Sequence, residues 1–297
     1  MKIVVTGSLG HISKPLTQEL VQKGHKVTVI SSKADRQKDI EALGAAAAIG
    51  TLDDADFIAA TFTGADAVYT MVPPGNYFDH EFDLMAHYHE TGNNYAQAIR
   101  KSGVKRVVHL SSIGAHLEKG SGLILGHRDI EIILTGLSNI AITIMRPSGF
   151  YYNLYSFAGM IKKEGVIAAN YGAEEMLVWV SPKDIAAAVA EELETPASGK
   201  KIRYVASDEL TGNETAAILG AAIGKPDLKW ILISDDEMKT GLVAAGMNPN
   251  IATGLTEMFS SQHRGKLSED FYRNRPAVMG KVKIRDFAQE FAGAFKQ

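Results

Sequence analysis

The segment Thr6-Gly7-Ser8-Leu9-Gly10-His11-Ile12-Ser13 carries the residue types and spacing best suited to holding an anion. A short β-branched run, Ile3-Val4-Val5, stops at Gly7, and a glycine returns three residues later at Gly10. Gly7 permits a tight turn, and Gly10 lets the backbone approach a pyrophosphate closely. A helical pattern then opens at Pro15, with Leu16, Leu20 and Val21 on one face. Its free N–H groups and positive dipole end would point at the same anion. Strand, glycine turn and helix in this order form the dinucleotide-binding entry of a Rossmann unit. Gly7, Ser8, Leu9, Gly10, His11 and Ile12 are the expected cofactor contacts there. Ser13 replaces the third glycine of the usual spacing and is small enough for close helix–strand packing.

The second strand selects the dinucleotide. An NAD site usually carries Asp or Glu at the end of that strand, about 20 residues after the glycine turn. Here Ile30 is followed by Ser31-Ser32-Lys33-Ala34-Asp35-Arg36. Ser31, Ser32, Lys33 and Arg36 offer two hydroxyls and two cations to a 2′-phosphate, so NADP(H) is expected over NAD(H). Ordinary loop roles account for the same residues, and Asp35 keeps a ribose contact open.

A reaction on such a cofactor needs an acceptor held against the nicotinamide in a dry pocket. His127 is the expected group to orient the nicotinamide ribose or to donate a proton, because its ordinary pKa near 6.5 suits that role. A helix histidine bonded to a backbone carbonyl is the plainer reading. Ser111 and Ser112 follow a strand, where hydroxyls contact ligand or cap the next turn. Tyr151, Tyr152 and Tyr155 either stack on a planar substrate or pack a domain junction. His127, Ser112 and Tyr151 are the catalytic candidates. His87 and His89, two residues apart, point to different sides of a helix, so no metal is expected there. The sequence has neither an HExxH nor a G-x-S-x-G motif, which leaves zinc-hydrolase and serine-hydrolase chemistry without a basis.

The elements that must position these groups alternate β, α, β, α. Strands are expected at about 2–6, 26–30, 45–49, 67–71, 106–110 and 141–145. Helices are expected at 12–23, 36–43, 53–62, 82–101 and 125–135. This is an α/β fold, a Rossmann-type doubly wound parallel sheet with right-handed crossovers. Such sheets bind ligands beyond the carboxyl ends of their strands. Residues 1–147 form the dinucleotide-binding domain, completed by about 176–206, with a strand at 178–180, a helix at 182–193 and a strand at 201–205. Residues 148–175 and 207–297 form a smaller, mainly helical substrate and capping region, with helices at 213–223, 235–245, 250–263 and 283–296.

The 297 residues are 45% hydrophobic, enough for a large core, and the net charge of −3 gives nucleic acid no basic surface to bind. There are no cysteines, so disulfides, zinc–thiolate sites and thiol catalysis are excluded. Met1-Lys2-Ile3-Val4-Val5-Thr6 reads as a strand and not as a signal peptide, and no apolar run is long enough to cross a membrane. The expectation is a cytoplasmic monomer or homodimer acting on a small molecule.

The pattern as a whole resembles the NmrA-like, atypical branch of the short-chain dehydrogenase/reductase superfamily. The resemblance rests on Thr6 to Ile12, Gly50-Thr51-Leu52-Asp53-Asp54, His109-Leu110-Ser111-Ser112, His127-Arg128-Asp129-Ile130-Glu131, and Thr143-Ile144-Met145-Arg146-Pro147 leading to Phe150 and Asn153. Val180 to Ala186 and the segment from Arg275-Pro276 to Phe287 extend it over nearly the whole chain. It implies NAD(P)(H) binding, with Leu52 and Asp53 near the adenine. Met71, Val72, Pro73 and Pro74 would line the cofactor, Ser111 and Ser112 would flank the nicotinamide, and Pro147 and Phe150 would lie beside it. Members of that family reduce quinones, dyes or aromatic ethers, while others bind the dinucleotide as a redox signal. The superfamily's Tyr-x-x-x-Lys pair is missing: Leu123 to His127 stand in that region, with His127 near the lysine position. Reduction of a small conjugated or aromatic acceptor is therefore expected, with a non-catalytic redox sensor as the alternative.

Overall fold

The computed structural model describes residues 1–196 and 198–296. Up to Pro147 the order is β1 (Lys2–Val5), α1 (Ser13–Gln22), β2 (Lys26–Ser31), α2 (Gln37–Ala42), β3 (Ala46–Ile49), α3 (Ala55–Phe62), β4 (Ala67–Thr70), α4 (Leu84–Ser102), β5 (Arg106–Leu110), α5 (Ile124–Thr135) and β6 (Ala141–Pro147). There follow β7 (Gly149–Phe150), α6 (Ala158–Glu164), β8 (Val166–Ala169), β9 (Met176–Val180), α7 (Pro182–Glu194), β10 (Lys200–Val205) and β11 (Asp208–Thr211). The chain closes with α8 (Gly212–Ile223), β12 (Lys229–Leu232), α9 (Asp235–Ala244), α10 (Pro249–His263), α11 (Glu269–Arg273) and α12 (Ile284–Phe295).

Seven parallel strands make the central sheet, in the order β10-β6-β5-β4-β1-β2-β3. The chain reverses its direction of travel between β1 and β4, and a doubly wound sheet opens its ligand crevice at that switch. Strand alternation sends Ile3 and Val5 to one face and Val4 to the other. The first face packs under α1 and α7, with Leu16, Leu20, Tyr69, Ile185 and Val189 in one core. The second packs under α3, α4 and α5, with Phe62, Tyr95, Ile99, Ile130 and Leu134 in another. β3 is a run of three alanines and an isoleucine, weak strand formers apart from the last, yet it pairs with β2 from Thr28–Ala46 to Ser31–Ile49. Pairing overrides local propensity here.

A third core lies in the later chain, where Tyr151, Phe157, Trp179, Trp230, Phe287 and Phe291 pack together. Two small sheets support it. β9 pairs antiparallel with β11 and parallel with β7, and β8 pairs parallel with β12. β9 thus belongs to the smaller sheet, while α7 and β10 complete the large one. After Thr211 the four expected helices form, and the connections between them hold two further elements, the strand β12 and the short helix α11. β12 is four residues long and finds its partner some 60 residues earlier, at Val166 to Ala169. So short a strand has little local signature.

Candidate functional site

The first crevice wall is the glycine turn. Gly7 has φ +86°, and a Cβ there would stand 2.6 Å from Ser13 Oγ and 3.1 Å from Met71 Cγ. Ser13 Oγ itself donates to Thr6 O at 2.8 Å, so the serine stitches α1 to the end of β1. A Cβ on Gly10 would lie 3.1 Å from Gly7 O. The backbone is therefore bare where a pyrophosphate would approach. No side chain caps α1 at Ile12, whereas Asp54, Asp83 and Ser181 cap α3, α4 and α7. The cradle and the open helix end fit a dinucleotide.

The β2 exit adjoins this turn. Ser8 N donates to Ile30 O at 3.1 Å, and Ser8 Oγ donates to Ser31 Oγ at 2.9 Å. Ser31 is buried and also accepts from Lys33 N at 3.2 Å. Ser32, Lys33, Asp35 and Arg36 are exposed; the Arg36 guanidinium lies 3.5 Å from Asp39. Ser31 thus ties turn to strand end, leaving Ser32 and the two cations at the surface.

The β3 and β4 exits are held by α4. Asn94 Nδ2 donates to Leu52 O at 3.0 Å and to Asp53 O at 3.3 Å. Asp53 accepts from Thr51 Oγ1 at 2.7 Å. Tyr95 Oη donates to Met71 O at 2.7 Å, and Met71 N donates to Thr6 Oγ1 at 3.0 Å. Val72 is buried, and Pro73 O bonds His87 Nε2 at 3.0 Å. His89 pairs with Asp129 at 2.8 Å. Among the described residues no group of three His, Asp or Glu side chains is placed to hold a metal.

Buried polar groups from α4, α5 and the strands β4, β5 and β6 gather on the inner side of α5. His127 Nε2 stands 3.3 Å from Tyr88 Oη, and its Nδ1 is buried with no partner. Burial lowers the His127 pKa to about 4. His109 Nδ1 bonds Thr70 Oγ1 at 2.9 Å, and its Nε2 is also unpaired. Burial, then the nearby His127, lowers His109 to about 3. Both imidazoles are therefore neutral at pH 7. Ser111 Oγ donates to Glu131 Oε1 at 2.5 Å, and Arg146 grips Glu131 and reaches Asp270 at 3.1 Å. Burial opposes the Arg146 charge, but the bonds to Glu131 outweigh it and raise its pKa.

The last wall comes from the chain after β6. Ser112 is half-buried and its hydroxyl donates to Ile113 O at 3.0 Å. Pro147 is buried at the end of β6. Phe150 lies 5.1 Å from Tyr152, whose ring stacks on His11 at 4.7 Å between centroids. That stack joins the glycine turn to the later chain. Tyr151 is not brought to this group. Its ring is buried against Phe287 at 5.6 Å, and its hydroxyl donates to Asp208 at 2.7 Å. The two tyrosines open a 3₁₀ helix, Tyr151–Phe157, whose successive side chains point about 120° apart, and Tyr152 takes the His11 side.

A model of the NmrA-like family matches residues 1–283. The chain belongs to the NmrA-like family. It is 25% identical to the NAD(P)H azoreductase of Xenophilus azovorans, with 99% of each chain covered. Its fold matches an NADPH-dependent quinone oxidoreductase of Escherichia coli complexed with NADPH at a TM-score of 0.81 and 18% identity, covering 97% of this chain and 99% of that one. It matches the Citrobacter triphenylmethane reductase complexed with NADP(H) at a TM-score of 0.78 and 20% identity, covering 98% and 99%.

In this NmrA-like chain the residues that the motifs do not reveal come mostly from α4. Tyr88, Asn94 and Tyr95 sit in a helix whose sequence shows only an amphipathic pattern. Gly126 and Gly92 are the one visible hint. A Cβ on Gly126 would meet Tyr88 Cγ at 2.8 Å, and one on Gly92 would meet Ile133 Cδ1 at 3.0 Å. Glycine inside a helix is destabilising, so two of them facing each other's helix mark a close approach of α4 and α5.

Proposed function

We propose that this NmrA-like chain is an NADP(H)-dependent oxidoreductase that reduces a small conjugated or aromatic acceptor such as a quinone. The observation that carries the reading is the bare backbone cradle at Gly7 and Gly10, set at the β1/β4 switch, with the neutral His127 on α5. Full-length similarity to a protein named an NAD(P)H azoreductase supports the chemical class.

When bound, a reduced nicotinamide supplies a hydride to an electrophilic carbon. The chain's residues do the rest. Gly7 to Ile12 and the open end of α1 bind the pyrophosphate. Ser32, Lys33 and Arg36 receive the 2′-phosphate, with Ser31 holding the loop through Ser8. Leu52 and Asp53, fixed by Asn94, border the adenine, and Met71, Val72 and Pro73 line the path to the nicotinamide. Tyr152, Phe150 and His11 offer planar faces to an aromatic acceptor and exclude water. His127 orients the nicotinamide ribose or bonds the acceptor oxygen. It does so uncharged, which suits an acceptor whose negative charge delocalises and can be protonated from water. Ser111, bonded to Glu131, supports this wall, and Ser112 borders it.

The test is equilibrium binding of NADPH and NADH, followed by turnover with a panel of quinones, azo dyes and triphenylmethane dyes. The reading expects tighter NADPH binding and acceptor-dependent NADPH oxidation. Tight binding with no oxidation across the panel would favour a redox sensor instead.

A further inference from the structure

We propose that Tyr88 is a positioning residue for His127, holding its imidazole in the Nδ1–H tautomer so that it presents a hydrogen-bond donor to whatever binds beside it. What binds there rests on the functional reading above; the tautomer stands on the geometry of the pair and on its burial.

Tyr88 Oη and His127 Nε2 are 3.3 Å apart, with ring centroids 4.9 Å apart and planes at 77°. Both groups are neutral: burial raises the phenol's pKa, and burial lowers the imidazole's to about 4. With the phenol O–H donating to Nε2, only Nδ1–H is left unpaired; with Nε2–H donating instead, the phenol hydrogen and Nδ1 would both be, so the phenol donates. Nε2 therefore carries the lone pair, and the ring proton sits on Nδ1. Nδ1 is buried and has no partner in the protein. A buried donor without a partner is costly, and an acceptor oxygen on a ligand would relieve that cost. The Tyr88 bond to Nε2 thus decides that the ligand meets a ring N–H and not a lone pair.

The arrangement is built into the helix pair. Gly126 precedes His127, and any Cβ there would strike Tyr88 Cγ at 2.8 Å and Cδ1 at 2.9 Å. The missing side chain lets the Tyr88 ring lie against the α5 backbone, within reach of the next residue. The other groups around the pair reinforce neutrality. His109 on β5 is itself buried and uncharged, and Tyr77 and Tyr152 face Tyr88. Glu131, one turn along α5, is occupied by Ser111 and Arg146.

The tautomer is read from long-range 15N–1H correlations of the histidine rings in labelled full-length protein near neutral pH, with His127→Gln assigning the signal. We expect the Nδ1–H pattern in wild type and its loss to the Nε2–H form or a mixture in Tyr88→Phe. An Nε2–H pattern in wild type, or an unchanged Nδ1–H pattern in Tyr88→Phe, would overturn the proposal. Should Tyr88→Phe fail to fold, the wild-type spectrum and Gly126→Ala, which displaces the ring, decide it. With a quinone acceptor, Tyr88→Phe is also expected to lower kcat roughly tenfold while KM for NADPH stays unchanged. An Nδ1–H result in a protein that turns over no acceptor leaves the positioning intact and removes the reductase reading.

Discussion

Arg146 holds both carboxylate oxygens of Glu131, Nη2 to Oε2 at 2.6 Å and Nε to Oε1 at 2.9 Å, with the arginine side chain only 5% exposed. The fork fits the carboxylate and fixes α5 against β6 one turn beyond His127. The same guanidinium reaches Asp270 on α11 and the Tyr204 hydroxyl, at 3.1 Å each. One side chain therefore ties together the sheet, the helix that carries His127 and the late helical segment.

Breaking this pair is expected to be costly. Arg146→Met leaves Glu131 buried without a counter-ion, and such losses run to about 3–5 kcal/mol. Urea unfolding should show a fall of that size. Adding Glu131→Gln to Arg146→Met should recover much of it, because the stranded charge is then removed.

The glycine turn has no room for a side chain. Gly7→Ala combines φ +86° with a Cβ 2.6 Å from Ser13 Oγ. Strain of this kind costs on the order of 1–3 kcal/mol. The variant should remain folded by circular dichroism yet bind NADPH at least tenfold more weakly in a fluorescence titration.

The proposed preference for NADP(H) rests on the two exposed cations after β2, Lys33 and Arg36. Lys33→Glu with Arg36→Glu replaces charge-assisted contacts worth about 1.5–3 kcal/mol. NADPH affinity should fall about tenfold to a hundredfold, with NADH affinity nearly unchanged. Equal losses for both nucleotides would place the effect elsewhere than the 2′-phosphate.

The sheet was legible because its signals are local. Ile3-Val4-Val5 followed by Gly7, and the glycine stop at Gly103 after a long amphipathic helix, each declare an element within a few residues. The partnerships of the site are not local. Tyr88 and His127 are 39 positions apart, Asn94 and Leu52 are 42 apart, and Arg146 and Asp270 are 124 apart. No periodicity encodes such pairs. Tyr151 and Tyr152 show a second limit: both read alike in an aromatic run, and only the turn geometry sends one to the core and the other to the crevice. β12 was hidden for a related reason, since its strand character comes from β8.

Acid should destabilise the fold through its buried histidines. The folded values for His109 and His127 are about 3 and about 4, below the ordinary 6.5. The unfolded chain therefore binds more protons than the folded one between those limits. The contribution is complete above pH 6.5 and is lost as pH falls toward 4, by about 3 kcal/mol for His127. Thermal midpoints between pH 7 and 4 should fall less steeply in His127→Asn than in wild type. Parallel curves would contradict the neutral buried imidazole.

The proposed reductase function requires the crevice to hold NADPH against a conjugated acceptor and to let the two react. A single-turnover experiment tests it most directly. Protein saturated with NADPH, free of excess nucleotide and oxygen, is mixed with a quinone, and the reduced-nicotinamide absorbance is followed. We predict a quinone-dependent loss of that absorbance equal to the bound nucleotide. Bound NADPH that stays reduced in the presence of quinones, azo dyes and triphenylmethane dyes alike would contradict the account.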